Sequence, residues 1–183
     1  MRIVAGAWRG RTIKAPDSDA TRPTADRVRQ ALFDMLIHAP WADPIEQCTV
    51  LDGFAGTGAL GLEALSRGAA RAVFLENNRQ ALLTLKDNVA AMRATPQSLV
   101  LGADATRPPR AMPAQGSCSL VFLDPPYGQD LIAKSLQALK AAGWVAEGAL
   151  IVAETASEEA PPVARDALLA ERRHGAARIS IWR

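Results

Sequence analysis

Val50-Leu51-Asp52-Gly53-Phe54-Ala55-Gly56-Thr57-Gly58 decides the fold of this chain. An apolar strand runs into an acid and then a glycine-punctuated turn, and Ala59 to Arg67 reads as a helix closed by Gly68. Glycine accepts positive φ and lacks a Cβ, so such a turn can wrap a nucleotide closely. Outward from this stretch the pattern repeats. Ala72 to Glu76, Ser98 to Leu101, Leu120 to Leu123 and Ala149 to Ala153 are short apolar runs. Between them lie helical stripes, Leu82, Leu85, Val89 and Met92 in one and Ile132, Leu136 and Leu139 in another. Continuous apolar strands alternating with amphipathic helices predict a parallel α/β sheet covered on both faces.

The two ends break the rhythm. Leu168 to Arg173 and Ala177 to Trp182 flank His174-Gly175, which predicts a closing antiparallel β-hairpin. At the start, Arg2 to Ala5 and Arg11 to Lys14 predict a short hairpin around Gly6 and Gly10. Pro16 to Pro23 reads as a loop. A helix is expected from near Thr24, with the Thr24 hydroxyl as cap, Asp26 in the first turn, and Val28, Leu32, Met35 and Leu36 on one face.

At 183 residues the chain suits one domain, with residues 1–23 as a basic hairpin and loop and 24–183 as the core. Nearly half of the residues are apolar, which excludes a disordered chain. The net charge of +2 is unevenly spread. Residues 1–29 carry seven basic side chains against three acidic ones, and the rest is slightly acidic. A basic flange on a near-neutral body predicts a polyanionic partner at one edge. Cys48 and Cys118 lie far apart and form no CxxC pair, so neither a disulfide framework nor a zinc site is expected. No metal is expected elsewhere. No run reaches the ~20 apolar residues of a membrane span, and the N-terminus meets charge too early for a signal peptide, so a cytoplasmic protein is expected.

Three acids end strands, where open α/β sheets bind ligands. Asp52 is placed for the methionine end of S-adenosylmethionine, Glu76 for both ribose hydroxyls, and Asp104 for the adenine amino group, with Ala105 supplying a backbone contact. Asp104 serves a turn equally well. Gly56-Thr57-Gly58-Ala59-Leu60-Gly61 also reads as GxGxxG, and Glu76 follows at dinucleotide spacing, so that stretch alone leaves a nicotinamide dehydrogenase open.

Asp124-Pro125-Pro126-Tyr127 follows the fourth strand. A base amino group is a poor nucleophile because its lone pair is delocalised into the ring. The Asp124 carboxylate and Pro125 carbonyl can accept its two N–H bonds and draw the lone pair out of conjugation. Pro125 and Pro126 stiffen the turn, and Tyr127 can stack on the base at ~1–3 kcal/mol. The base must leave its stack to enter such a pocket. The alternative is a plain turn after a strand. Together with the glycine turn, the motif favours methyl transfer from S-adenosylmethionine to an exocyclic nitrogen. Neither cysteine sits near a motif, which argues against a covalent cysteine mechanism.

From residue 2 to the C-terminal hairpin the chain resembles the bacterial 16S ribosomal RNA guanine-N2 methyltransferases. The specific part is N-terminal, in Arg2-Ile3-Val4-Ala5-Gly6 with Trp8-Arg9-Gly10-Arg11, and in Arg22-Pro23-Thr24 with Asp26-Arg27-Val28-Arg29 and Ala31-Leu32-Phe33. Asp52 to Ala64 and Asp124 to Tyr127 complete the match but are shared more widely. The resemblance implies a Rossmann-like class I methyltransferase fold, a mostly parallel seven-stranded sheet ending in an antiparallel hairpin, with a short N-terminal hairpin extension. It also implies S-adenosylmethionine as donor and one guanine of 16S rRNA as acceptor, within an assembled or assembling small subunit. The absence of a separate RNA-binding domain fits that substrate.

Residue by residue, it puts the base pocket at Asp124, Pro125, Pro126 and Tyr127. The cofactor site falls at Asp52, Gly53, Phe54, Ala55, Gly56, Gly58, Glu76, Asn77, Asp104 and Ala105, with Thr24 and Arg27 closing over it. Arg2, Arg9, Arg11 and Arg22 would meet phosphates, and Trp8 either packs under the hairpin or stacks on RNA. The proline- and arginine-rich stretch from Ala105 to Gly116 has no assigned role. The competing expectations are an amino methyltransferase for DNA adenine or a protein amide, a nicotinamide dehydrogenase, and a non-catalytic RNA-binding module.

Overall fold

Seven strands, each followed by chain that crosses to the next, form one sheet in the order β3-β2-β1-β4-β5-β7-β6. They are β1 (Thr49–Asp52), β2 (Arg71–Leu75), β3 (Ser98–Leu101), β4 (Cys118–Leu123), β5 (Val145–Ala156), β6 (Ala170–His174) and β7 (Ala177–Trp182). The computed structural model describes residues 1–15 and 22–183, with the side chains of residues 22–25 outside the description. β1 to β5 are parallel, and β7 runs antiparallel to both β5 and β6. This is the mostly parallel seven-stranded sheet, ending in an antiparallel hairpin, that was expected from the sequence.

The helices are α1 (Arg22–His38), α2 (Ala59–Ser66), α3 (Arg79–Ala91) and α4 (Leu131–Ala141). Because side chains alternate along a strand, neighbouring residues feed opposite faces. Val50, Phe74 and Phe122 meet Phe33 and Leu36 of α1, Leu62 of α2 and Leu85 of α3 in one core. Leu51, Val73 and Val121 meet Ile132 and Leu139 of α4, with Trp144, in the other.

Two boundaries differ from expectation. α1 starts at Arg22, which places Thr24 inside its first turn instead of at the cap. Asp26 lies beyond that turn and pairs with Arg29 at 2.8 Å. Residues 16–21 of the expected loop lie outside the described residues. β5 extends well past the apolar run that marks it, because Val145 still pairs with Cys118 across an irregular stretch at one end and Glu154 to Ala156 still pair with β7 at the other.

The N-terminal arm is the short hairpin expected. Beside the antiparallel Arg2–Thr12 bridge, the Ile3 amide donates to the Arg11 carbonyl, the Gly10 amide to that of Ile3 and the Ile13 amide to that of Met1. The core holds the hairpin in place. Ile3 and Ile13 are buried in the first core. The Val4 and Ala5 amides donate to Glu63, the Trp8 amide to Ser66, and the Lys14 amide to Asn88. Asn88 also donates to the carbonyls of Lys14 and Thr57, tying the arm to the glycine turn. Gly6 has φ +80°, and a Cβ there would sit 1.8 Å from the Ser66 carbonyl oxygen, so this contact needs glycine. The proline-rich stretch after β3 lies across the α4–β5 corner, where the Trp144 indole donates to the Pro109 carbonyl and the Ala111 amide to that of Ala142.

Candidate active site

Sheet order turns five separate sequence positions into one row. The neighbouring strands β3, β2, β1 and β4 end at or just before Asp104, Glu76, Asp52 and Asp124, and Glu154 lies within the last residues of β5 beside them. The chain reverses direction of travel between β1 and β4, the place where doubly wound sheets open to ligands.

The glycine turn is pinned between the strands beside it. The Gly53 amide donates to the Phe122 carbonyl at 2.9 Å and the Ala55 amide to that of Leu75 at 3.0 Å. Gly58, with φ +81°, starts α2 without a capping side chain. Asp52 supplies the acceptor from below, its Oδ2 taking the Gly61 amide at 3.0 Å. Glu76 braces the turn itself. Its Oε2 accepts from the Gly56 amide and its Oε1 from the Asn78 amide, each at 2.7 Å. Phe54 and Gly56 are half-buried, Ala55 is buried and Asn77 is exposed. Asp104 accepts from the Thr106 amide and hydroxyl, each at 2.8 Å, so it does form the turn that was its alternative role. Ala105 is buried beside it.

Asp124 opens on a cleft of about 840 Å³ between α1, the first turn of α2 and the ends of β4, β5 and β7. Arg27 and Val28 line one wall, Ala59 and Leu60 the floor, and Glu154 and Ile179 the other wall. Pro125 is buried and Pro126 exposed. Tyr127 remains 45 % exposed, but its hydroxyl donates to Glu154 Oε1 at 2.6 Å, which fixes the ring's position. A smaller cleft of about 360 Å³ lies on the far side of the Pro125–Tyr127 turn and shares Glu154.

Burial and the nearby Glu76 push the Asp52 carboxyl up to about 7, against the pull of the Gly61 amide. Desolvation by the cleft walls, with Glu154 and then Asp52 adding negative charge, also raises Asp124. Its carboxyl faces the open cleft, so water moderates that rise. Burial and the Glu154 bond push the Tyr127 phenol up, keeping it a donor. Burial likewise raises both thiols, Cys48 to about 11, leaving them protonated. Among the described residues no group of three or more His, Cys, Asp or Glu side chains is arranged to hold a metal ion, and no helix is long and apolar enough to cross a membrane.

A carboxyl raised on folding binds its proton more tightly in the native state. Stability should therefore fall as pH climbs from about 4 to about 7, by up to about 4 kcal/mol for Asp52. Urea titrations across that range should show the slope, and Asp52→Asn should flatten it while keeping an oxygen for the Gly61 amide. A slope unchanged in the variant would place its origin elsewhere.

The predicted RNA contacts divide. Arg2, Arg9 and Arg11 are exposed on the arm. Trp8 is half-buried against the first core, which favours packing. The side chains of Arg22 and Thr24 lie outside the described residues. Four polar residues escaped the sequence reading. Glu63, Ser66 and Asn88 dock the arm, and Glu154 joins the site. A polar side chain inside an apolar helical stripe was the available signal for Asn88, and an acid closing the apolar run of β5 was the signal for Glu154.

The family model described as conserved hypothetical protein 95 matches residues 1–183. Ribosomal RNA small subunit methyltransferase D of Escherichia coli K12 is 40% identical over 163 residues, covering 88% of this chain and 78% of the relative. The protein of the same name from Haemophilus influenzae is 36% identical, covering 87% and 80%. The solved structure of the Escherichia coli protein yhhF superposes with a TM-score of 0.80 at 36% identity, over 100% of this chain and 96% of that one.

Proposed function

Because the chain belongs to the ribosomal RNA small subunit methyltransferase D family, we propose that it methylates the exocyclic N2 of a guanine in 16S rRNA, using S-adenosylmethionine. The carrying observation is Asp124 at the mouth of the 840 Å³ cleft, one strand from the glycine turn. The turn suits the cofactor. No atom lies within 4 Å of the place where a Gly56 Cβ would point, leaving open space above it. Glu76 keeps acceptor capacity for ribose hydroxyls, since a carboxylate offers about four acceptor positions. Asp52, Asn77, Asp104 and Ala105 complete that side of the site, and Arg27 reaches into the cleft from α1.

S-adenosylmethionine, when bound, supplies a methyl group on a sulfonium sulfur, which keeps the electron pair of the broken C–S bond. Asp124 and the Pro125 carbonyl accept the two amino hydrogens and orient the nitrogen lone pair toward that methyl. Tyr127 stacks on the flipped base. As the new N–C bond forms, the nitrogen sheds one proton, and Asp124 accepts it.

Tritium transfer from labelled cofactor into undermethylated small subunits, followed by nucleoside analysis, tests this reading. Label in N2-methylguanosine supports it. Label in DNA or a protein would keep the clamp and change the acceptor. No transfer to any of them would discard methyl transfer.

The arm is the proposed phosphate contact, through Arg2, Arg9, Arg11 and Arg22. Arg9→Glu with Arg11→Glu should weaken binding to the small subunit at least tenfold and lower the slope of log affinity on log salt by about two. Affinity for S-adenosylhomocysteine should not change. Equal loss of both affinities would mean that the arm acts only as a structural brace.

A further inference from the structure

We propose that Glu154 selects guanine, by accepting the N1–H of the base whose N2 amino group Asp124 holds. The inference rests on the guanine-N2 reading above and adds a specificity residue to it.

The placement comes from the sheet. β4 and β5 are parallel with Leu123 opposite Ala153, so Asp124 and Glu154 are the next pair in register, and both side chains line the same cleft. Two carboxylates side by side at one mouth repel, and Glu154 is the main charge acting on Asp124. Such a pair suits a ligand edge that presents two adjacent donors. Guanine offers that edge, because N1–H lies next to the N2 amino group. Adenine presents an amino group beside a bare N1, whose lone pair would face a carboxylate. A wrong base would thus leave a desolvated charge unpaired, which is how polar sites discriminate strongly.

Tyr127 supplies the second observation. Its hydroxyl donates to Glu154 Oε1, holding the carboxylate in place beside Asp124. One bond uses one of about four acceptor positions, so Glu154 can still receive the N1–H. Tyr127 then serves twice, with its ring on the base and its hydroxyl on the residue that reads the base edge.

Small subunits reconstituted with either guanosine or 2-aminopurine riboside at the modified position separate the possibilities. Both bases carry the same amino group, but N1 of 2-aminopurine is an acceptor. Glu154→Gln keeps an oxygen for the Tyr127 hydroxyl and offers an N–H toward N1. Its kcat/KM on guanosine should drop roughly tenfold to hundredfold, and the guanosine to 2-aminopurine ratio should fall at least tenfold. Equal losses on the two substrates would overturn the assignment and leave Glu154 a support for Tyr127. Unchanged rates on both would overturn it as well. The parent reading fails separately, since there the wild-type protein forms no N2-methylguanosine at all.

Discussion

Asp124→Ala should bind S-adenosylhomocysteine as tightly as the wild-type protein and transfer methyl groups at least tenfold to hundredfold more slowly. That factor corresponds to one charge-assisted hydrogen bond of ~1.5–3 kcal/mol, held in the transition state and lost. Loss of the proton acceptor adds to it. Folding should not suffer, because the Asp124 side chain makes no hydrogen bond or ion pair among the described residues. Removing it relieves repulsion from Glu154 and Asp52, so the melting temperature should hold or rise. Calorimetric titration, melting and single-turnover transfer check the three parts. Wild-type single-turnover rates in the variant would refute the clamp. A parallel loss of cofactor affinity would move Asp124 from the base to the cofactor.

Glu63→Ala should lower stability by about 3–5 kcal/mol, the cost of leaving buried partners of a charge uncompensated. Glu63 is fully buried. It accepts from the Val4 amide at 2.8 Å, the Ala5 amide at 3.0 Å and Arg67 Nε at 2.8 Å, with Arg29 Nε at 3.4 Å. Arg29 reaches on to Asp26 and the Arg2 carbonyl, and Arg67 lies over the Phe33 ring at 4.8 Å. One carboxylate therefore joins the arm, α1 and α2. A loss of that size is a large fraction of the 5–15 kcal/mol that holds a typical protein folded. For a chain of this length it should drop the melting temperature by roughly 10 °C. The arm should also become cleavable by trypsin at Arg9 and Arg11. A variant that melts within 2 °C of the wild type would show that the network is dispensable.

The two variants also separate what was legible in advance from what was not. The position of Asp124 could be read locally, since an apolar run followed by Asp-Pro-Pro-Tyr marks a strand end and a rigid turn. Seven strands and their closing hairpin were legible for the same reason, because periods of two and 3.6 residues report which face is buried. Where local signals were weak, the boundaries moved. Pro23 is tolerated in the first turn of a helix, so α1 begins before the Thr24 that resembles a cap. The arm reads as a hairpin by pattern and is one, but the pattern did not show that its outward amides at Val4, Trp8 and Lys14 bond to side chains of α2 and α3.

Glu63 and Asn88 show why the remainder was hidden. Glu63 sits in an otherwise apolar helix and Asn88 beside an apolar stripe, and neither pattern names the partner that such a polar residue would find. Their partners in the arm lie 58 to 74 residues away in the chain. Sequence alone determined the glycine turn, the acids at strand ends and the Asp-Pro-Pro-Tyr turn after β4, because each is written within a few consecutive residues. Only the tertiary structure decided that Glu154 stands beside Asp124 and that the basic arm is locked to the glycine turn. Those juxtapositions come from strand order and long-range hydrogen bonds, which the chain acquires only when the sheet closes.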